Sequence, residues 1–228
     1  MNSYRRLRRA ARFVVAMALM LSAVVAVALV RESQSVAGSA RYYGSVAAVP
    51  LRQPIVDMAA KPDGNGYWLV ASDGGVFTFG AARFYGSTGA IKLNQPIVGM
   101  AATPSGRGYW LVASDGGIFA FGDAAFSGST GSIRLNQPVV GMWPTPTGRG
   151  YWFVAADGGI FSFGDATFSG STGDIRLNRP IVGMAGGPTG QGYWFVGNDG
   201  GVFAFGGVPF LGSLGALTPA PTIVSMAA

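Results

Sequence analysis

Residues 66–80 read GYWLVASDGGVFTFG, two short apolar runs rich in aromatic and β-branched residues around a Ser-Asp-Gly-Gly joint. Asp-Gly-Gly between such runs predicts a β-hairpin, because tight hairpin turns need positive φ, which glycine adopts without a Cβ clash. The first run, repeated at 108–113, is apolar on both sides: Tyr109, Leu111 and Ala113 point one way, Trp110 and Val112 the other. A sheet with one wet face alternates polar and apolar residues, so this pattern predicts a strand covered on both faces.

The hairpin recurs through the chain without insertion or deletion. GYWLVASDGG returns identically at 108–117, then as GYWFVAADGG at 150–159 and GYWFVGNDGG at 192–201, which spaces Trp68, Trp110, Trp152 and Trp194 by 42 residues. Each unit opens on a proline-led run (PIVDM at 54–58, PIVGM at 96–100, PVVGM at 138–142, PIVGM at 180–184) and ends near Phe-x-Gly-Ser at Gly86, Gly128, Gly170 and Gly212. Four short strands per unit with both faces buried are expected, in an all-β, β-propeller fold of four to five blades. A linear β-solenoid is the runner-up. Tyr42–Ser45 reads as a fourth strand without its unit and Ile223–Met226 as a first strand without the rest. The two are expected either to help close the ring or to leave an open edge prone to association.

The W-x-V…D-G-G-[IV]-F-x-F pattern over residues 42–228 resembles tectonin-type propeller repeats, and the whole unit is similar to tandem repeats in secreted proteins of high-GC Gram-positive bacteria. That resemblance implies fold and location more than chemistry. The Asp-box of sialidase-like propellers is matched only at Asp73-Gly74-Gly75 and its copies, so sialidase activity is not implied.

Ahead of the repeats, YRRLRRAAR at 4–12 precedes eighteen uncharged residues, 13–30. This is the pattern of an export signal, expected here as a hydrophobic helix. Residues 1–40 are thus expected to be either a signal peptide cut after Ala37 or Ala40, or an anchor through residues 13–30, which at helical rise span ~27 Å. Both outcomes place the repeat domain, 41–228, outside the cytoplasm: secreted or on the cell surface. The leader also explains the basic character of the chain. Of the net +6, residues 1–40 hold six arginines and one acid, which leaves the repeats at +1 and removes the charge argument for nucleic-acid binding.

The chain has no cysteine and no histidine, which excludes disulfides, thiol nucleophiles, Cys/His zinc sites and imidazole bases. Asp73, Asp115, Asp157 and Asp199 stand singly in their turns and read as turn formers rather than calcium ligands. No catalytic set, metal site or cofactor motif is assigned. Candidate binding residues are those that vary in loops or break the repeat. Arg107 and Arg149 precede Gly-Tyr-Trp, and Lys92, Arg134 and Arg176 share one turn position. Trp143 stands where the other units have alanine, and Asp57 where they have glycine. The expected function is a non-catalytic extracytoplasmic module that binds cell-wall glycan or a protein partner. The alternative is a propeller-type hydrolase or lyase acting on carbohydrate, with Asp57 the first acid to test.

Overall fold

The computed structural model describes residues 41–218 and 222–226; the export signal and helix expected within 1–40 lie outside them. Twelve strands form four three-stranded antiparallel sheets, one per repeat, each in the order first–second–third. The first sheet is β1 (Ile55–Ala60), β2 (Gly66–Ala71) and β3 (Val76–Gly80), and the second is β4 (Ile97–Ala102), β5 (Gly108–Ala113) and β6 (Ile118–Gly122). The third is β7 (Val139–Pro144), β8 (Gly150–Ala155) and β9 (Ile160–Gly164), and the fourth is β10 (Ile181–Gly186), β11 (Gly192–Gly197) and β12 (Val202–Gly206). Among the described residues no helix is long and apolar enough to cross a membrane.

The Asp-Gly-Gly joint closes each hairpin as its composition demands. Asp73 Oδ1 accepts a 2.9 Å hydrogen bond from the Gly75 N–H, and Gly74 has φ 77°. A Cβ on Gly74 would collide with the Thr88 hydroxyl, so the turn also fixes the segment that leads to the next sheet. Asp115, Asp157 and Asp199 repeat the bond to Gly117, Gly159 and Gly201.

Sheets stack through the second strand. Trp68 is fully buried and its ring lies 5.6 Å from Tyr109 of the next sheet; Trp110–Tyr151 and Trp152–Tyr193 follow at 5.9 and 5.8 Å. Every interface closes around the same six positions. Trp68 and Val70 meet Ile97 and Met100 of the next first strand, and Tyr109 and Leu111 of the next second strand. The recurring apolar run is therefore an inter-sheet core, and the double-faced burial expected from it holds for the two inner sheets. Consecutive first strands touch, β1 on β4, β4 on β7 and β7 on β10, whereas β1 and β10 do not.

One expectation is corrected. The Phe-x-Gly-Ser segment does not join the ladder as a fourth strand. Gly80, at φ 66°, turns the chain away from β3, and side chains then satisfy the backbone of residues 83–86. Trp68 Nε1 donates to the Arg83 carbonyl at 2.8 Å, and the Tyr109 hydroxyl of the next sheet donates to the Gly86 carbonyl at 2.6 Å. Gly86 lies against the Phe121 ring, where a Cβ would come 2.7 Å from Cε1. The segment is a strap between sheets, held by the aromatic residues that form the core.

Candidate functional site

The first strands carry the variation that a site needs. Each has a β-bulge after its first residue, at Ile55/Asp57, Ile97/Gly99, Val139/Gly141 and Ile181/Gly183. Glycine follows the bulge in three sheets, and there the first strands approach closely: a Cβ on Gly99 would lie 3.9 Å from the Gly141 Cα. Along this row opens a cleft of about 830 Å³. Its floor is valine and methionine from the first strands, its upper wall is Pro62, Pro104, Pro146 and Pro188, and Val224 and Met226 extend it beyond the fourth sheet.

Asp57 and Trp143, which break the repeat in the first strands, both line this cleft, as do Pro144 and Gly186, which stand where the first two sheets have alanine. Asp57 replaces the glycine that follows the bulge in the other three sheets and ties two sheets together. Its Oδ1 accepts from the Met58 N–H and its Oδ2 from the Met100 N–H of β4, each at 2.7 Å. Burial pushes its carboxyl above the ordinary carboxylate range, and the two N–H donors pull the other way without cancelling the rise. Trp143 is half-buried and lies over Gly186 of the next sheet. A Cβ on Gly186 would come 2.7 Å from Trp143 Nε1, so this glycine makes room for the indole. Trp194, half-buried on the outer side of the fourth sheet, supplies a second indole to the cleft.

The candidate cations fall elsewhere, on two different rims. Arg107 and Arg149 sit in the loops between the first and second strands, where they are exposed and pair with Asp123 at 3.5 Å and Asp165 at 3.6 Å. Each carboxylate also accepts from a buried threonine, Thr103 or Thr145, at 2.8 Å, and from Ser105 or Thr147 at 2.5 Å. Burial works against ionisation of Asp123, but bonds from Ser105, Thr103 and Arg107 outweigh it and hold its carboxyl below the usual range. At Asp165 the Thr147 bond leads the same effect. These arginines are built into loop-stabilising networks. Lys92, Arg134 and Arg176 lie on the opposite rim, in exposed turns next to the Asp-Gly-Gly joints; Thr88 N donates to Gly74 O and Ile91 N to Thr88 O. Among the described residues no lysine or arginine lines the cleft.

Sequence reasoning missed two repeated apolar surfaces. Phe84, Phe126, Phe168 and Phe210 project from the straps with 59–66% of their surface exposed, and Ile91, Ile133 and Ile175 project beside the rim cations. Recurrence of Phe84 between residues that vary, Arg83 and Tyr85 in one unit and Ala125 and Ser127 in the next, was the available signal.

Among the described residues no three acidic side chains converge as a metal site. No protein-family model matches this chain, and no curated protein matches it.

Proposed function

We propose that this chain is a non-catalytic binding module of propeller type, working outside the cytoplasm, that takes an extended apolar segment of a protein partner in the first-strand cleft. The observation that carries the reading is the convergence on one cleft of Asp57 and Trp143, an acid and an indole that stand where the other first strands have glycine and alanine. Binding sites are concave and mostly apolar, with few polar groups that set orientation. Methionine and proline suit an apolar peptide, since thioethers adapt to irregular shapes and proline presents a rigid apolar ring. Asp57 offers the single carboxylate among the described residues lining the cleft, and a basic or N–H-rich partner group complements it.

Hydrolysis of a glycosidic bond by the usual route needs a pair of carboxyl groups flanking it. Among the described residues the cleft contributes only Asp57, both of whose oxygens already accept backbone N–H groups. A glycan reading has its own support in the row of exposed Phe84, Phe126, Phe168 and Phe210, since repeated flat apolar rings suit sugar faces. The cleft and this row are separable.

Intrinsic tryptophan fluorescence reads the cleft directly, because Trp143 and Trp194 both line it. Titration with extended apolar peptides carrying one Lys or Arg is expected to shift the emission and to saturate, with at least a tenfold loss of affinity in Trp143→Ala. Saturation by soluble cell-wall glycan fragments that survives Trp143→Ala and disappears in Phe126→Ala selects the glycan reading. No response to any peptide refutes the cleft reading.

A further inference from the structure

The three inter-sheet cores share one recipe, and each end of the array holds a complementary half of it. A complete core takes a tryptophan and a valine from one sheet, and from the next sheet an isoleucine or valine with a methionine (first strand) and a tyrosine with a leucine or phenylalanine (second strand). Trp110 and Val112 with Val139, Met142, Tyr151 and Phe153 is one example. At the leading end, Ile55, Met58, Tyr67 and Leu69 are present, and no described residue supplies the tryptophan and valine. At the trailing end, Trp194 and Val196 are present, and no described residue supplies the tyrosine and leucine or phenylalanine.

Exposure follows this division. Met58 is 59% exposed, while its counterparts Met100, Met142 and Met184 are at most 7% exposed. Leu69 is half-buried where Leu111 is fully buried, and Trp194 is half-buried where Trp68 and Trp110 are fully buried. Loop contacts show the same gap. Pro62, Pro104 and Pro146 each approach a glycine of the next sheet, Gly106, Gly148 and Gly190, to about 3 Å of its Cβ position, whereas Gly64 meets nothing within 4 Å. The strap glycines Gly44, Gly86, Gly128 and Gly170 each lie under a phenylalanine of the following sheet, and Gly212 meets nothing.

Two segments hold the places of the missing neighbours. Ile223–Met226 lies on the fourth sheet as a first strand would: Ile223 N donates to Asn198 O at 2.8 Å, as Ile97 N does to Ser72 O at 2.9 Å. Tyr43–Gly44 lies on the first sheet as a strap would, with the Tyr67 hydroxyl donating to the Gly44 carbonyl. Neither restores burial, since Val224 remains 72% exposed and Tyr42 79% exposed.

We propose that the two ends are matched docking faces for a second copy of this chain. The trailing face of one copy, Trp194, Val196 and Pro188, receives the leading face of another, Tyr67, Leu69, Met58 and Gly64. The joint completes a fourth core of the kind already present three times. The Ile55–Met58 strand of the incoming copy takes the place of Ile223–Met226, and strap residues 210–213 take the place of residues 42–45. Each exchange is like for like, so burial of the β2–β3 face of one copy against Trp194 of the other remains as the net gain. The contact is heterologous, and two copies or more join head to tail. This inference does not rest on the cleft reading: its readout is the mass of the assembly, whereas the cleft reading is decided by the loss of peptide affinity in Trp143→Ala, a residue of the third sheet on neither end.

The assay is light scattering of the 228-residue chain in mild detergent, with two variants that each block one face. Met58→Arg blocks the leading face at an already exposed position, and Trp194→Arg blocks the trailing face. The wild-type protein is expected to form species of two or more chains that grow with concentration. Each variant alone is expected to have the mass of one chain. Their equimolar mixture is expected to form a dimer and no larger species, because one competent leading face then meets one competent trailing face. Circular dichroism checks the fold of each variant, and Pro188→Glu, on an exposed loop of the trailing face, replaces Trp194→Arg if that protein misfolds. A wild-type protein that stays a single chain at every concentration overturns the proposal. So does a variant that still assembles alone, or a mixture that remains monomeric.

Discussion

Trp110→Ala and Trp194→Ala remove the same side chain from the same strand position in two repeats, and they are expected to differ in effect. Trp110 is fully buried between the second and third sheets, 5.9 Å from the Tyr151 ring, and its Nε1 donates to Ala125 O at 2.8 Å. A tryptophan side chain buries on the order of 200 Å², and at about 25 cal/mol per Å² the transfer loss alone is roughly 5 kcal/mol before the site relaxes. Measured truncations of buried aromatic residues run at ~3–5 kcal/mol. The lost hydrogen bond adds little, because Ala125 is exposed and water replaces the donor. Trp194 makes the equivalent bond to Pro209 O but is covered on one side only, so roughly half that loss, ~1.5–2.5 kcal/mol, is expected. Urea unfolding at sub-micromolar protein, followed by circular dichroism, isolates the single chain from association. The inner variant is also expected to lose cooperativity, since each repeat is stabilised mainly by its neighbours and this interface lies in the middle of the series. Equal destabilisation by the two substitutions would refute the inter-sheet core as the source of stability.

Gly186→Ala places a methyl where the Trp143 indole lies, so a red-shifted Trp emission and a loss of about 1–3 kcal/mol are expected from overpacking; unchanged emission and stability would remove Trp143 from its place over β10. Asp57 takes up protons more readily in the fold than in the unfolded chain, so its contribution is complete below the unfolded value of 3.8 and lost as pH rises through the higher folded value. Relative to Asp57→Asn, the wild-type protein is therefore expected to lose stability as pH climbs out of the acid range, and a difference that is flat or grows with pH contradicts the burial of this carboxyl. Arg107→Ala removes an exposed partner of Asp123 and is expected to change stability by less than about 0.5 kcal/mol in chemical denaturation. Asp123→Ala removes the acceptor shared by Thr103 and Ser105, leaving the Thr103 hydroxyl its longer 3.2 Å bond to the Gly108 carbonyl, and is expected to destabilise by about 1–2 kcal/mol, a contrast whose absence would dissolve the loop network.

The repeat made the sheets legible because its constraints are local and doubled on each other. Gly-Tyr-Trp-x-Val-Ala needs cover on two faces, Asp-Gly-Gly needs a hairpin, and the same residues recur at the same spacing, so hairpins and inter-sheet packing of the tryptophans could be read directly. The strap was misread because its stabilising partners are distant in sequence. Phe-x-Gly-Ser has strand composition, but its backbone is satisfied by Trp68 from 15 residues before and by Tyr109 from 23 residues after. The role of the loop arginines was legible in principle: the units with Arg107 and Arg149 are the ones with Asp123 and Asp165, while units with Asn65 and Gln191 have Ala81 and Gly207. Trp143 and Gly186 carry a similar mark, an enlarged residue and a reduced one placed 43 positions apart.

Repetition and its exceptions divide the labour in this chain along a physical boundary. Second strands are nearly invariant because in the two inner sheets every one of their side chains is buried, and a change on one face must be matched on the next. First strands have more freedom. Their methionines and leading aliphatic residues face the shared cores, while the positions after the bulge and at the strand end face the cleft. There Asp57 replaces glycine at the open end of the row, and Trp143 is admitted by the loss of a methyl at Gly186. A cleft built this way can change its chemistry one residue at a time while the stack that holds it stays the same. The leading end follows the opposite rule: Met58 and Leu69 keep the residues of a covered face although they are partly exposed. Preserved apolar identity at an uncovered face is what a docking surface requires, whereas solvent alone would tolerate polar replacements at both positions.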